Sequence, residues 1–158
     1  MPNWCNNYIT ISGDKEKMKP IYDFFKDKET TDADCLVMSS LVPHDEEYEK
    51  IKASGEYLLN PQTEFYGTKW DFSIGEANVH DITEECITFG PQTAWSPPSA
   101  FCQKLAVKYG VEVSVQYDEP GMGFVGKEVY YPDGNLDEEF YENYLEGMYK
   151  LQPEDFWE

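Results

Sequence analysis

Hydrophobic and polar residues alternate along two stretches of the chain, and a period of two predicts β-strands. In residues 8–12, Ile9 and Ile11 share one face, and Gly13 ends the pattern. The alternation in residues 111–119 is longer, and it predicts four inward-facing side chains: Val111, Val113, Val115 and Tyr117. Such alternation is typical of an antiparallel sheet that is covered on one face only.

Helical periodicity predicts one helix after the first of these strands and another before the second. An apolar stripe in residues 17–25 predicts a helix that begins near the start of that range, so that Pro20 falls in the first turn, where its missing N–H costs little. A second helix is expected to have Ser96 as its N-cap, Pro97 at its first position and Gly110 at its C-terminal end.

A third helix is predicted over residues 135–148, with Asn135 as its cap and Glu138 reaching back from the third helical position. Between the first two helices we predict a short strand in residues 35–43, a short helix followed by a long loop in 44–66, and one or two strands in 69–90 that place Ile87 and Phe89 in the core. After the strand at 111–119 we predict a turn at 118–123 with Pro120 and Gly121 at its centre. A return strand in 124–131 completes the hairpin.

The predicted order of strand, helix, strands, helix, hairpin and helix belongs to the α+β class. We predict a ferredoxin-like split β-α-β sandwich, with helices on one face of an antiparallel sheet and an added acidic helix at the C-terminus. A chain of 158 residues fits one domain. The predicted domain therefore spans residues 1–158, with 132–158 as an acidic helical extension.

The charge of the chain narrows its possible partners. There are 31 acidic residues against 12 basic ones, for a net charge of −19, and every basic residue is a lysine. Nucleic acid is a polyanion, and arginine is the side chain best suited to bind its phosphates and bases. The excess of negative charge and the absence of arginine therefore argue against direct nucleic-acid binding. Two interpretations of the acidity remain: a solvated surface that keeps the protein soluble, or a face that binds a protein with a basic surface.

The four cysteines, at positions 5, 35, 86 and 102, form no C-x-x-C pair, and the chain has only two histidines. We therefore expect free thiols, about half of them buried, with no disulfide, no metal and no cofactor. The N-terminus lacks the features of a signal peptide, and no apolar run approaches the roughly 20 residues of a membrane helix. These features predict a cytoplasmic protein that does not bind membranes.

No catalytic residue is assigned from the sequence. Residues 121–128, "GMGFVGKE", match the letters of a phosphate-binding loop, but Glu128 stands where the magnesium-binding Ser or Thr is required. A strand and a turn also follow, where a helix is needed to meet phosphate. A glycine-rich hairpin is the better interpretation, and no nucleophile elbow is present.

Aromatic and acidic residues lie beside three predicted turns, in residues 68–72, 93–98 and 116–122. If these loops converge at one end of the sheet, they form a pocket. The candidate pocket residues are Trp70, Asp71, Trp95, Tyr117 and Glu119. The alternative is that all three segments are structural corners. For Trp95 we favour packing: it precedes the expected cap and should be mostly buried against the second helix.

A second candidate surface lies in the predicted C-terminal helix. Its acidic residues are Asp137, Glu138, Glu139, Glu142 and Glu146. If they present one continuous face, their spacing resembles a rough ladder of phosphates. Such a face could occupy the nucleic-acid groove of a host defence protein.

Four motifs in order along the chain resemble the YubB-type ferredoxin-like domain family of phages and plasmids: "MPNWCNN", "YGTKWD", "TAWSPP" and "YDEPGMGFVG". The resemblance covers about residues 1–131, and it departs at Phe65-Tyr66, where relatives tend to carry Asn-Trp. It implies a ferredoxin-like domain from a mobile element that acts inside a bacterial cell, and it implies no established activity. The matching residues are Trp4, Cys5, Asn7, Gly67, Thr68, Lys69, Trp70, Asp71, Trp95, Ser96, Pro97, Pro98, Glu119 and Gly121.

We therefore expect a non-enzymatic accessory protein of a mobile element that binds a protein partner through an acidic surface. In the narrower form of this hypothesis, the acidic surface mimics nucleic acid and inhibits a host defence protein. The alternative is a small-ligand-binding or enzymatic domain with an aromatic and acidic pocket. A single acidic face favours the partner, whereas an even coat of charge with a deep aromatic cleft favours the ligand. The oligomeric state stays open.

Overall fold

The computed structural model of the chain describes residues 3–57 and 59–151. Within them, one sheet contains the strands β1 (Trp4–Ser12), β2 (Val79–Ile82), β3 (Cys86–Phe89), β4 (Gln92–Ala94), β5 (Glu112–Glu119), β6 (Phe124–Tyr130) and β7 (Leu136–Tyr141). The α-helices are α1 (Lys15–Thr31), α2 (Val37–Leu41), α3 (Glu46–Ser54), α4 (Pro61–Tyr66), α5 (Ser99–Tyr109) and α6 (Tyr144–Leu151). A short 3-10 turn spans Gly75–Ala77.

The sheet has the strand order β2-β3-β1-β5-β6-β7, and β4 continues the line of β3 along β1. Its strand pairs are antiparallel. Strands β2, β3, β1 and β5, with α1 and α5 as the crossover helices, form a ferredoxin-like split β-α-β unit. The predicted fold class is therefore confirmed, and β6 and β7 widen the sheet on one side.

The inner face of the sheet carries the hydrophobic core. The register places Ile9 between Phe89 of β3 and Val115 of β5, and all three are fully buried. Phe25 of α1 meets Phe89 with 5.2 Å between ring centroids. Burial of each such side chain stabilises the fold by roughly 1.5–3 kcal/mol. The inward positions predicted for residues 111–119 and for Ile87 and Phe89 are confirmed.

The outer face of the sheet is covered at one end by α6. A Cβ at Gly147 would lie 2.7 Å from the Cβ of Val125 and 3.0 Å from that of Tyr141, so this helix packs very closely on β6 and β7. Trp4 and Tyr8 of β1, by contrast, are exposed on the outer face. The prediction of a sheet covered on one face only is thus wrong at the β7 end.

The strand predicted in residues 35–43 is wrong, because this segment contains α2. The carboxylate of Asp71 accepts hydrogen bonds from the backbone N–H groups of Met38 and Ser39, at 2.9 Å each. These contacts satisfy two of the N–H groups that a helix leaves unpaired at its start. The residue that supplies them lies more than 30 positions away, outside any local pattern.

Two helix starts also differ from the predictions. Helix α1 begins at Lys15, so Pro20 lies inside the helix rather than in its first turn, and burial of the stripe that includes Met18 and Phe25 outweighs this cost. Helix α5 begins at Ser99, with Pro98 at the cap. The expected C-terminal residue of α5, Gly110, has the predicted left-handed conformation, with φ of 69°.

The helix predicted over residues 135–148 is wrong in its first half. Residues 136–141 form β7, and α6 begins only at Tyr144. Asn135 lies in the preceding turn, where its backbone N–H and its side chain donate to the carboxylate of Asp133. This turn directs the chain back along β6, and the ladder hydrogen bonds of a strand replace those of a helix. Residues 152–158 of the predicted helical extension lie outside the described residues.

Smaller differences concern turns and loops. The short helix expected in residues 44–66 is confirmed as α3, and the long loop expected after it contains a second helix, α4. In the turn between β5 and β6, the left-handed residue is Gly123, with φ of 83°, rather than Gly121. Helices in the described ranges are too short or too polar to cross a membrane.

Candidate functional site

Four segments meet at one end of the sheet, and we call this region the tryptophan corner: residues 3–7, 66–72, 92–98 and 119–122. The backbone N–H of Trp95 donates to the carbonyl oxygen of Asn3 at 2.8 Å. The hydroxyl of Thr68 donates to the carbonyl oxygen of Ala94 at 2.9 Å. A Cβ at Gly121 would lie 2.6 Å from the side chain of Asn3. The structure thus brings the aromatic segments of the sequence together.

Buried polar side chains hold this corner in one conformation. Asn7 donates from its Nδ2 to the carbonyl oxygen of Pro91 at 3.0 Å and to the hydroxyl of Thr93 at 2.9 Å. The hydroxyl of Ser96 donates to the carbonyl oxygen of Gly67 at 2.6 Å. Because a buried polar group without a partner costs roughly 1–3 kcal/mol, these bonds fix the path of the loops.

Gly67 is the position where the corner is most crowded. It has φ of 94°, and a Cβ there would lie 2.9 Å from the backbone nitrogen of Ser99 and 3.0 Å from that of Ala100. These nitrogens belong to the first turn of α5. Only glycine fits, because any side chain would press on helix backbone in a conformation that L-residues avoid.

Trp4 and Trp70 form an exposed pair on the outer side of this corner. Each is 44% exposed, and their ring centroids lie 6.2 Å apart. They line a cavity of about 240 Å³ together with Asp71, Phe72, Glu76, Gln92, Thr93 and Ala94. The Nζ of Lys69 lies 4.7 Å from the ring centroid of Trp70, within the range of a cation–π interaction.

Asp71 was predicted to line the pocket, and in the structure its carboxylate also caps the start of α2. In addition to the two N–H groups at the start of α2, it accepts a hydrogen bond from its neighbour Phe72 at 2.8 Å. Its carboxylate therefore fixes α2 against the loop that carries Trp70.

The predicted packing role of Trp95 is wrong. Its side chain is 41% exposed, and its backbone is left-handed, with φ of 73°. Helix α5 begins four residues later, so Trp95 does not hold the position from which a staple reaches the helix. A left-handed conformation costs a non-glycine residue about 1–2 kcal/mol, and the hydrogen bond to Asn3 helps to maintain it.

Tyr117 and Glu119 do not line the cavity of the tryptophan pair. Both lie on the inner face of the sheet, where a Cβ at Gly126 would lie only 2.3 Å from the hydroxyl oxygen of Tyr117. Glu119 is fully buried, and its Oε2 accepts from the backbone N–H of Met122. Among the described residues, its Oε1 has no hydrogen-bond partner. The five predicted pocket residues are therefore divided between two faces.

Trp4, Glu76 and Gln92 line the cavity and were absent from the predicted pocket. The signal for Trp4 lay in the sequence, because the alternation of residues 8–12 continues back through β1 and gives Trp4 and Tyr8 the same face. Glu76 and Gln92 are polar residues of a short turn and a short strand, and no pattern distinguishes them.

The two buried thiols are not activated as nucleophiles. Cys5 and Cys102 are buried and Cys35 and Cys86 are partly exposed, so the expected half-burial is confirmed. Burial raises the pKa of the thiols of Cys5 and Cys102, and nearby carboxylates raise both further, which disfavours the reactive thiolate. In residues 3–57 and 59–151, no group of three or more His, Cys, Asp or Glu side chains is placed to hold a metal ion.

The second candidate surface, which we call the acidic edge, consists of Asp137, Glu138, Glu139, Glu142 and Glu146. All five are exposed. The register of β7 puts Asp137 and Glu139 on the outer face of the sheet and Glu138 on the inner face, opposite Glu128. The predicted single helical face is therefore wrong, because alternate residues of a strand point to opposite sides.

Lysine does not compensate the charges of the acidic edge. Lys127 is the register partner of Glu139, yet none of the five acids forms an ion pair with a lysine in the described part of the chain. Tyrosine hydroxyls donate instead: Tyr131 to Asp137 at 2.7 Å and Tyr141 to Glu139 at 3.0 Å.

Glu128 links the acidic edge to the core. It is 8% exposed, and its Oε1 accepts from the hydroxyls of Ser99 and Tyr130. Burial raises the pKa of Glu128, and the charge of Glu138 across the ladder raises it further, while the two hydrogen bonds act in the opposite direction. Like charges directly opposite each other destabilise a strand pair.

Comparison with known proteins identifies the domain. The family model described as the ferredoxin-like domain in Api92-like protein matches residues 62–155, which is more than half of the chain. The crystal structure of protein Api92 from Yersinia pseudotuberculosis aligns with 89% of this chain and 98% of that one, with a TM-score of 0.48 and 8% sequence identity. No curated protein matches this chain.

Proposed function

This chain belongs to the Api92-like family of ferredoxin-like domains, and we propose that it is a non-enzymatic protein that binds a partner with a basic surface through its acidic edge. The observation that carries the proposal is the position of β7. It is the last strand of the sheet in the described residues. Five of its six side chains are exposed, and acids that form no ion pair with a described lysine lie on both of its faces.

Strand addition is the mode of binding that this geometry favours. The free edge of a strand presents unpaired N–H and C=O groups, which an extended segment of a partner can pair with. Glu138 lies on the inner face between Leu136 and Phe140, which are 41% and 53% exposed. An added strand therefore meets both apolar surface and carboxylates, which suits a segment of mixed basic and apolar residues.

The same charges select against a second copy of this chain. Pairing β7 with another β7 would bring Asp137, Glu138 and Glu139 of the two copies against one another. Like-charge pairs across strands are destabilising, whereas opposite charges contribute roughly 0.2–1 kcal/mol each. The preferred partner is therefore a basic protein and not a homodimer formed through this edge.

The narrower form of the proposal is a mobile-element protein that mimics nucleic acid and inhibits a host defence protein. The resemblance to YubB-type domains of phages and plasmids supports the origin. The partly exposed thiols of Cys35 and Cys86 suit a reducing compartment, which supports action in the cytoplasm of a bacterial host. For a partner with a nucleic-acid groove, duplex DNA and this protein must then compete; simultaneous binding would rule out mimicry.

The alternative, a small-ligand or enzymatic site, has less support. Its predicted residues are divided between the outer cavity and the inner face, as Trp70 and Glu119 illustrate. The cavity of about 240 Å³ is smaller than the roughly 300–1,000 Å³ of ordinary ligand pockets.

A peptide titration followed by amide NMR tests the proposal. The probe is an eight-residue peptide of alternating lysine and valine. We expect the amides of Leu136–Tyr141 to shift and to gain protection from hydrogen exchange, and binding to weaken steeply as salt screens the charges. A peptide of alternating lysine and proline has the same charge but lacks half of the backbone donors, so it should bind more weakly. Equal binding of both peptides would contradict strand addition.

Two matched variants separate the acidic edge from net charge. The first changes Glu138, Glu139, Glu142 and Glu146 to Gln; it should keep the fold and lose peptide binding. The second changes four other exposed acids that lie on different elements: Glu29, Glu49, Glu56 and Glu85. It has the same net charge and should bind like wild type. If both variants lose binding equally, bulk charge accounts for the association and the proposal is wrong.

A further inference from the structure

The cavity between Trp4 and Trp70 has the composition of a cation site. Both indoles are nearly half exposed, Trp4 at the start of β1 and Trp70 on the loop after α4, and buried hydrogen bonds hold the segments beside them. A cation already lies on one of the rings, because the Nζ of Lys69 is 4.7 Å from the centroid of Trp70. Ammonium and guanidinium groups within about 6 Å of an indole centroid are attracted by its π-electrons.

Two acidic residues lie in the lining of the cavity. Asp71 and Glu76 both line it, and its lining contains no lysine. Asp71 is held by three backbone N–H groups, which fix its position. Glu76 accepts a hydrogen bond through Oε1 from the N–H of Ser73, and its Oε2 has no partner among the described residues.

Gln92 adds a neutral acceptor at the cavity. Its Nε2 donates to the Oδ1 of Asn6 at 2.8 Å, which fixes the amide and leaves its carbonyl oxygen without a hydrogen bond in the described part of the chain. Two aromatic rings, the Oε2 of Glu76 and the amide oxygen of Gln92 suit a group that has positive charge and N–H donors, and Asp71 adds a second acidic residue to the lining.

We propose that this cavity binds a single cationic side chain, arginine or lysine, of a protein partner. Its volume of about 240 Å³ suits one side chain better than a whole ligand. The net charge of −19 attracts basic proteins to this surface. Lys69 does not line the cavity, but its ammonium group lies on Trp70 and competes with an incoming cation for the electrons of that ring. The cavity and the acidic edge share no residue, so either binding site can be disproved without the other.

NMR of the indole N–H groups tests the site in the intact protein. The probes are N-acetylarginine amide, its neutral counterpart N-acetylnorleucine amide, and choline as a free quaternary cation. We expect the arginine probe to shift the indole signals of Trp4 and Trp70 and to leave that of Trp95 in place. Equal shifts with the norleucine probe would overturn the proposal, since they indicate an apolar crevice. Tighter binding of choline than of the arginine probe would overturn the side-chain assignment.

Single substitutions sharpen the test. Lys69→Met removes the cation that already lies on Trp70 and should tighten binding of the arginine probe by about twofold to fivefold, the range of an exposed cation–π contact. Glu76→Gln should weaken it, and Trp70→Leu should abolish it while the melting temperature stays near wild type. Trp95→Leu is the matched control and should bind normally. If Lys69→Met binds no more tightly, or if Trp95→Leu loses binding as Trp70→Leu does, the assignment of the site is wrong.

Discussion

The tryptophan corner and the acidic edge are constructed in opposite ways. The corner is held by hydrogen bonds of the buried side chains of Asn7 and Thr68, and its exposed indole pair lies at the start of β1 and on the loop after α4. The edge is a largely exposed strand that pairs only with β6 and is packed on its outer face by α6. Substitutions in the corner should therefore change the free energy of unfolding, whereas substitutions at the edge should change what the protein associates with.

The largest expected effect is at Gly67. Gly67→Ala introduces a Cβ 2.9 Å from the backbone of Ser99 in a left-handed conformation, and we expect it to lower the free energy of unfolding by about 2–5 kcal/mol. Gly55→Ala is the matched control, because Gly55 is also left-handed at the end of a helix but has no atom within 4 Å of the added Cβ. It should lose only about 1–2 kcal/mol. Equal losses in urea denaturation would mean that crowding at α5 does not matter.

The corner could be predicted from the sequence only in part. Its segments are recognisable because glycine, proline and tryptophan lie beside turns, and the turns themselves lie where strands end. The pairing of Trp70 with Trp4 was missed because β1 was expected to begin at Tyr8 rather than at Trp4. The capping of α2 by Asp71 was not predictable, since the two are joined only through tertiary structure.

The acidic edge was harder to predict because its sequence fits a helical period and lacks the alternation of a strand. Phe140, Tyr141 and Tyr144 fit a helical stripe, while residues 136–141 show no clear alternation of apolar and polar side chains. Pairing with β6 decides the outcome in favour of a strand, and that partner is supplied by the rest of the fold. The core of the sheet, by contrast, was predictable because Val113 and Val115 alternate with polar neighbours.

Substitution of Glu128 gives the next effect, and its size depends on pH. Its raised pKa means that the native state binds more protons than the unfolded state between the two pKa values, so stability falls as pH rises through that window. Glu128→Gln keeps an acceptor for Ser99 and Tyr130 but has no charge. We expect it to melt at a higher temperature than wild type at pH 7.

The pH profile is the control for this prediction. Below the ordinary glutamate pKa of about 4.3, both proteins have a neutral side chain at position 128, so their melting temperatures should converge. A difference that stays constant across the pH range would show that packing, and not ionisation, separates them. Glu138→Gln removes the second cause of the raised pKa and should shift the profile of Glu128 toward lower pH.

Trp95 should show a smaller effect on stability than its size suggests. Trp95→Gly relieves the left-handed strain of about 1–2 kcal/mol, which offsets the lost contacts of a half-exposed ring and the added freedom of the unfolded chain. We expect a free energy of unfolding within about 1 kcal/mol of wild type by urea denaturation. A loss of about 3–5 kcal/mol, as for a large core truncation, would restore the packing role predicted from the sequence.

The smallest expected change in stability is at the edge itself. The triple variant Asp137→Asn, Glu138→Gln and Glu139→Gln changes exposed side chains that form no ion pair with lysine in the described residues, so unfolding should move by no more than about 0.5 kcal/mol. Its association should change instead. Charge on an edge strand prevents pairing with another copy, and the variant leaves Leu136 and Phe140 exposed beside an uncharged edge.

We therefore expect the triple variant to form dimers or larger assemblies in sedimentation experiments at concentrations where wild type does not. An equivalent variant with Glu29, Glu49 and Glu56 changed to Gln has the same net charge and should sediment like wild type. If both variants associate, overall repulsion keeps the copies apart. If only the edge variant does, the acids of β7 act locally at the strand, which is the property that a selective edge for a basic partner requires.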